Sequence, residues 1–192
     1  MQFIESEYTE TLEIKKSKFI TYITSYNKFE ELMKRLKEQH PKARHFVYAY
    51  RYLNEFDQIV ENSSDDGEPK GTSGRPSLSV LTGAELVNTA VIIVRYFGGI
   101  RLGTGGLVKA YSDAVNLVLK HAHLKSYVKL EYKTLSIDYS QLSQIEYFIS
   151  NTDVKIIDKI FSEKISLKLE ASSQEYDKLS QELFRDNTLE DL

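Results

Sequence analysis

One stretch of the chain, Ser63 to Pro76, gathers three carboxylates (Asp65, Asp66, Glu68), two cations (Lys70, Arg75), four hydroxyls and three glycines. Paired acids of this kind could hold Mg²⁺ or move a proton. The Gly71-Thr-Ser-Gly74 turn could present backbone N–H groups to an anion. The same residues are also ordinary turn formers, and a solvated loop whose acids cap turns and pair with Lys70 and Arg75 is the plain alternative. A second stretch, Arg95-Tyr-Phe-Gly-Gly-Ile-Arg-Leu-Gly-Thr-Gly-Gly106, is a glycine-rich turn between an apolar run and a helical pattern. Such a turn can bring backbone amides, and the positive end of a helix, close to a phosphate. Neither well-known nucleotide motif fits. Gly98 and Gly103 have Walker A spacing but Thr104 follows, and Gly103 and Gly105 begin a dinucleotide fingerprint that Val108 breaks.

What remains at the second stretch is charge. From Leu86 through Ser112 the chain has no Asp or Glu, while Arg95, Arg101 and Lys109 are cationic. Tyr96 and Phe97 are available to stack on bases. Arg95, Tyr96, Gly98, Gly99, Arg101, Gly103, Thr104, Gly105, Gly106 and Lys109, with Lys70 and Arg75 from the first stretch, are therefore the candidate anion- or nucleic-acid-binding residues. The alternative is glycines that serve helix–strand packing and aromatics that belong to the core. Three phosphate contacts would give a salt slope of about −2 on single-stranded RNA, a contact site rather than a tight grip.

The rest of the sequence bounds the chemistry. The chain has 192 residues, net charge −3 and no cysteine, so thiol catalysis, disulfides and Cys-ligated metals are excluded. The four histidines have no metal-ligand spacing: His40 precedes Pro41, His121 and His123 end a helical pattern, and His45 begins a strand. No metal or cofactor is expected. The apolar run Ala90–Val94 is far short of a membrane span, and the acidic N-terminus is unlike a secretory signal. A soluble cytoplasmic protein is the expectation.

The elements that must position these loops read as follows. Thr11–Lys16 and Phe19–Ile23 are strands. Asn27 with Glu30 should cap a helix whose stripe is Phe29, Leu32, Met33 and Leu36, ended by Pro41. His45–Arg51 is a strand with Phe46, Tyr48 and Tyr50 on one face and Val47 and Ala49 on the other. Leu86–Arg95 is a central strand, and a helix runs from about Gly106 to Lys120 with Leu107, Tyr111, Ala114, Val115 and Val118 inward. All nine glycines and all three prolines precede residue 126, and the net charge changes from +2 over 1–126 to −5 over 127–192, which places a domain boundary there. The second part reads as strand Leu130–Asp138, helix Gln141–Ser150, strands Val154–Phe161 and Lys164–Glu170, and helix Ser173–Phe184 capped by Ser172. The βαββα order is that of a ferredoxin-like unit, with Asp186–Leu192 available for a short fourth strand.

At the two loops the sequence resembles a known family. Ser64-Asp-Asp-Gly-Glu-Pro-Lys-Gly-Thr-Ser-Gly-Arg-Pro76, followed by Val94-Arg-Tyr-Phe-Gly-Gly-Ile-Arg-Leu-Gly-Thr-Gly-Gly-Leu-Val-Lys-Ala-Tyr111, is similar to the signature of the IMPACT/YigZ family. Ala43-Arg-His45 and Tyr48-Ala-Tyr-Arg51 fit it too. The resemblance implies an α+β protein. Its N-terminal domain would be ribosomal-protein-like and β-α-β, similar to the fourth domain of elongation factor G, and its C-terminal domain ferredoxin-like. Eukaryotic members act in translational control by competing for the activator of an initiation-factor kinase, using an additional N-terminal domain. This sequence begins almost directly with the shared domain, so kinase regulation is not expected of it. In bacterial members the position after His45 is often polar and the next often Cys, whereas here they are Phe46 and Val47, which removes a metal or thiol role from that strand. The reading favoured is a non-catalytic RNA- or ribosome-associated protein in translation or its regulation. The alternative is a metal-assisted hydrolase or phosphotransferase working through Asp65, Asp66 and Glu68.

Overall fold

The computed structural model describes residues 1–183 and 187–191 and divides into two compact units, Met1–Tyr127 and Val128–Leu192. In the first unit the strands are β1 (Gln2–Phe3), β2 (Tyr8–Ile14), β3 (Ser17–Ser25), β4 (His45–Leu53), β5 (Ile59–Ser64), β6 (Thr89–Tyr96) and β7 (Lys125–Ser126). Its helices are α1 (Phe29–Gln39), α2 (Gly74–Gly83) and α3 (Gly103–His121). Five strands form one antiparallel sheet in the order β2-β3-β6-β4-β5, and β1 pairs with β7 apart from it.

The apolar run is at the centre of that sheet because both of its faces are covered. Ala90, Ile92 and Val94 meet Phe29, Leu32 and Leu36 of α1, while Val91 and Ile93 pack with Leu81 of α2 and with Leu107, Tyr111, Ala114, Val115 and Val118 of α3. Strand β4 divides as its alternation requires: Phe46, Tyr48 and Tyr50 face α1, and Val47 and Ala49 face α2 and α3. Two local expectations are corrected. Asn27 does not cap α1: it sits inside a short 3₁₀ turn, Tyr26–Lys28, where its Oδ1 accepts from Ser25 Oγ, and Lys28 precedes the helix with no side-chain cap. Helix α3 begins at Gly103, so the last three glycines of the second loop form its first turn.

The second unit has β8 (Glu131–Ile137), α4 (Leu142–Ser150), β9 (Lys155–Phe161), β10 (Ile165–Ala171), α5 (Ser173–Glu182) and β11 (Thr188–Asp191). All its pairings are antiparallel, in the order β11-β8-β10-β9. The tail thus supplies a strand beside β8, although Asp186 and Leu192 lie outside the described residues, as does Phe184 at the expected end of the last helix. Leu135, Ile137, Leu167 and Leu169 pack with Ile145, Ile149, Tyr176 and Leu179 of the two helices. Ser172 Oγ accepts from Glu175 N and starts α5 as expected. Among the described residues no helix is long and apolar enough to cross a membrane.

Candidate functional site

The first loop leaves β5 and returns to start α2, and Asp65 ties its two ends together. Its carboxylate accepts from the backbone N–H of Gly71 (2.7 Å), Ser73 (3.0 Å) and Gly74 (2.8 Å) and from Ser73 Oγ (2.7 Å). Asp65 therefore caps α2 from outside the helix, where its charge also suits the positive end of the dipole. Burial alone would raise its pKa, but these hydrogen bonds outweigh it and hold the carboxyl below the ordinary range. Gly74 is required by contact: a Cβ there would sit 2.7 Å from the Ser64 carbonyl carbon.

The other two acids face elsewhere. Asp66 Oδ2 accepts from Phe46 N (2.6 Å), and its carbonyl accepts from His45 Nδ1 (2.8 Å). Because a carbonyl only accepts, His45 is the donor in this contact, through Nδ1. Glu68 turns inward, with its side chain 4% exposed. Its Oε1 accepts from Arg95 Nη1 (2.5 Å) and from the Tyr111 hydroxyl (2.8 Å). Burial first, and then the Glu68 charge, push the Tyr111 hydroxyl far above its usual pKa, so it stays a donor. The three carboxylates thus serve three separate structural contacts. Among the described residues no group of three or more acids and histidines could hold a metal ion. The alternative reading, in which Asp65, Asp66 and Glu68 share one ion, is not supported by this divergence.

Arg95 is also corrected. It was expected to meet phosphate, yet it is 6% exposed, paired with Glu68, and covered by Phe19 and Phe97, whose ring centres lie 5.4 and 5.7 Å from the guanidinium carbon. Its place follows from strand alternation, because it shares with Val91 and Ile93 the face of β6 that α2 and α3 cover. Tyr96 points to the opposite face, where its hydroxyl meets His40 Nδ1 (3.0 Å), and it is not free to stack on a base as expected. Lys109 is exposed but pairs with Asp113 one turn along α3 (2.7 Å), the first acid beyond the acid-free tract.

What the two loops build together is a depression of about 460 Å³ lined by residues of both. The first loop contributes Glu68 and Pro69, the second Arg95, Phe97, Arg101 and Leu102, and the start of α3 adds Gly103, Thr104 and Leu107. Arg44 and His45, just ahead of and at the start of β4, complete it. An adjoining hollow of about 320 Å³ brings Lys42 beside Arg44 and Tyr96. Arg44 and Arg101 are exposed and have no hydrogen-bonding or ionic partner among the described residues. Leu102 precedes α3 with no side-chain cap, and the first turn holds no acid, so the leading amides of α3 have no carboxylate of their own helix to satisfy them.

The remaining candidates sit outside this depression. Lys70 and Arg75 are exposed on the far part of their loop and on α2, and Gly99, Gly105 and Gly106 do not line it. Gly98 has a packing role: a Cβ would fall 1.9 Å from the Lys16 carbonyl carbon in the β2–β3 hairpin, and its N–H donates to Ser17 Oγ (3.1 Å). Sequence reading passed over Lys42 and Arg44, although two cations and a histidine within four residues of Pro41 were a usable signal. It also placed Tyr111 in the core without its tie to Glu68.

These features define a two-unit mixed α/β protein whose first sheet carries a cation-rimmed depression between two sequence-distant loops. Comparison with known proteins agrees with the motifs. The Impact N-terminal domain matches residues 15–119, and a domain of unknown function, DUF1949, matches 135–185. An IMPACT family member from Haemophilus influenzae is 38% identical over 89% of this chain and 84% of its own. The IMPACT family member YigZ of Escherichia coli is 38% identical over 82% of this chain and 78% of its own. A crystal structure described as that of a hypothetical protein superposes with TM-score 0.70 at 33% identity, covering 100% of this chain and 96% of that one. The chain belongs to the IMPACT family.

Proposed function

We propose that this protein is a non-catalytic RNA- or ribosome-associated factor that acts in the cytoplasm in translation or its regulation, meeting phosphate through the rim of the depression. The observation that carries the reading is the placement of two unpaired arginines, Arg44 and Arg101, beside the uncapped start of α3. Arg95 is already neutralised by Glu68, so the unpaired charge at the rim is positive within a chain of net charge −3. A cationic edge with exposed amides selects a polyanion. Family membership supports the setting, since the resemblance in sequence implies relatives active in translational control. The strand order of the second unit, with its last strand beside the first, supports a ferredoxin-like reading of that unit. The sheet with helices on both faces accords with an N-terminal unit like the fourth domain of elongation factor G. The test is co-sedimentation with ribosomes and binding to structured RNA across a salt series. The wild type should bind at 50 mM salt, and Arg44→Ala with Arg101→Ala should lose most of that binding while remaining folded. Indistinguishable binding by the two proteins would overturn the reading.

A further inference from the structure

The rim explains attraction to phosphate, but the interior of the depression has a different chemistry. Its walls are Pro69, Phe97, Leu102 and Leu107, and its floor is the Glu68–Arg95 pair. At about 460 Å³ it falls within the roughly 300–1,000 Å³ typical of sites for small organic groups. The floor is not fully satisfied. Glu68 Oε1 serves both Arg95 and Tyr111, whereas Arg95 Nε has no hydrogen-bond partner among the described residues. Both side chains are more than nine-tenths buried. A buried donor left open is costly, and a charged pair beneath apolar walls gives a visitor's polar edge something to meet. The Phe97 side chain packs over the Arg95 guanidinium and is still 57% exposed at the mouth.

We infer that the depression receives one unstacked nucleotide unit, with its planar base against Phe97 and its polar edge toward Glu68 and Arg95. This inference rests on the RNA reading above and adds what the interior recognises. Apolar walls suit the faces of a base, the floor presents a carboxylate and a guanidinium to its edge, and Arg44, Arg101 and the first turn of α3 lie where the attached phosphate would emerge. Every nucleobase carries adjacent donor and acceptor groups on its pairing edge, so the site selects a base without naming which one. The unit could belong to a single-stranded RNA or be a free mononucleotide, since both present the same base and phosphate.

The test compares a fluorescently labelled oligouridylate with an abasic ribose-phosphate strand of equal length at 50 mM salt, with AMP and CMP titrated as competitors. The full chain should prefer the base-bearing strand by about 5- to 150-fold, the range that aromatic stacking supplies. Phe97→Ala should abolish that preference and Phe97→Tyr should retain it, while Arg44→Ala with Arg101→Ala should weaken both strands alike. Equal binding of the two strands by wild type, or a preference that survives in Phe97→Ala, would overturn the base site and leave the phosphate reading standing. Binding of AMP or CMP without either strand would support the pocket, assign it to free nucleotides and overturn the RNA reading. Binding of neither strand and neither nucleotide would overturn both.

Discussion

The Glu68–Arg95 pair ties the first loop to the central strand, and removing one charge should show how firmly. At 2.5 Å and an effective dielectric of 20 the gross attraction is about 7 kcal/mol, offset by the cost of taking both ions out of water. Glu68→Gln keeps the size of the side chain and an oxygen for the Tyr111 hydroxyl, but strands the Arg95 cation beneath Phe19 and Phe97. Breaking a buried pair on one side costs about 3–5 kcal/mol, whereas replacing both partners by neutral groups of similar shape costs little. Glu68→Gln and Arg95→Met should therefore each destabilise the first unit, and the double variant should recover about 3 kcal/mol relative to their sum. Amide hydrogen exchange at Val91–Val94 reads this directly, because those buried β6 amides report opening of the first unit alone. Exchange should accelerate roughly 10²- to 10⁴-fold in Glu68→Gln. A change below about fivefold, or simple additivity in the double variant, would show that charge does not hold the loop in place.

Two further perturbations separate glycines and acids by role. Gly98→Ala should destabilise by more than about 3 kcal/mol because its Cβ overlaps the Lys16 backbone, whereas Gly105→Ala, open on all sides at the start of α3, should gain about 0.5–1 kcal/mol of helix stability. Thermal unfolding checks both, and equal effects would contradict the packing argument. Asp65→Ala leaves three backbone donors and one hydroxyl without their acceptor, and should cost about 2–4 kcal/mol at neutral pH. Since folding lowers the Asp65 pKa, its stabilisation is fully present above the unfolded value of about 3.9 and is lost as pH falls through the folded value. The gap between wild type and variant in urea unfolding should be widest above about pH 5 and narrow toward pH 2; a gap independent of pH would contradict the assignment.

Periodicity carried most of the fold into view. The stripe Leu107, Tyr111, Ala114, Val115 and Val118 and the two faces of His45–Arg51 need only local spacing, and each is buried as that spacing requires. Helix α2 and strand β5 went unread because Gly74, Pro76 and Ile59–Ser64 carry turn and polar residues. The structure accommodates them through Asp65 and through pairing of β5 with β4, neither of which leaves a short-range signature. The same limit governed the site. Charge type pointed to the second loop as a cationic tract, but which arginine is free depends on contacts 27 and 43 residues apart. Strand alternation could have warned that Arg95 and Tyr96 point to opposite faces of β6. Nothing in the sequence could say that Glu68 waits beneath one of them.

The central claim, that Arg44 and Arg101 meet phosphate, is tested most directly by the salt dependence of RNA affinity. With Lys42 beside Arg44, three contacts give a slope of log affinity against log salt near −2, about a 16-fold loss between 50 and 200 mM. Arg44→Ala with Arg101→Ala should flatten that slope to about −0.7. A slope unchanged by the two substitutions would place the phosphate contacts elsewhere and contradict the account.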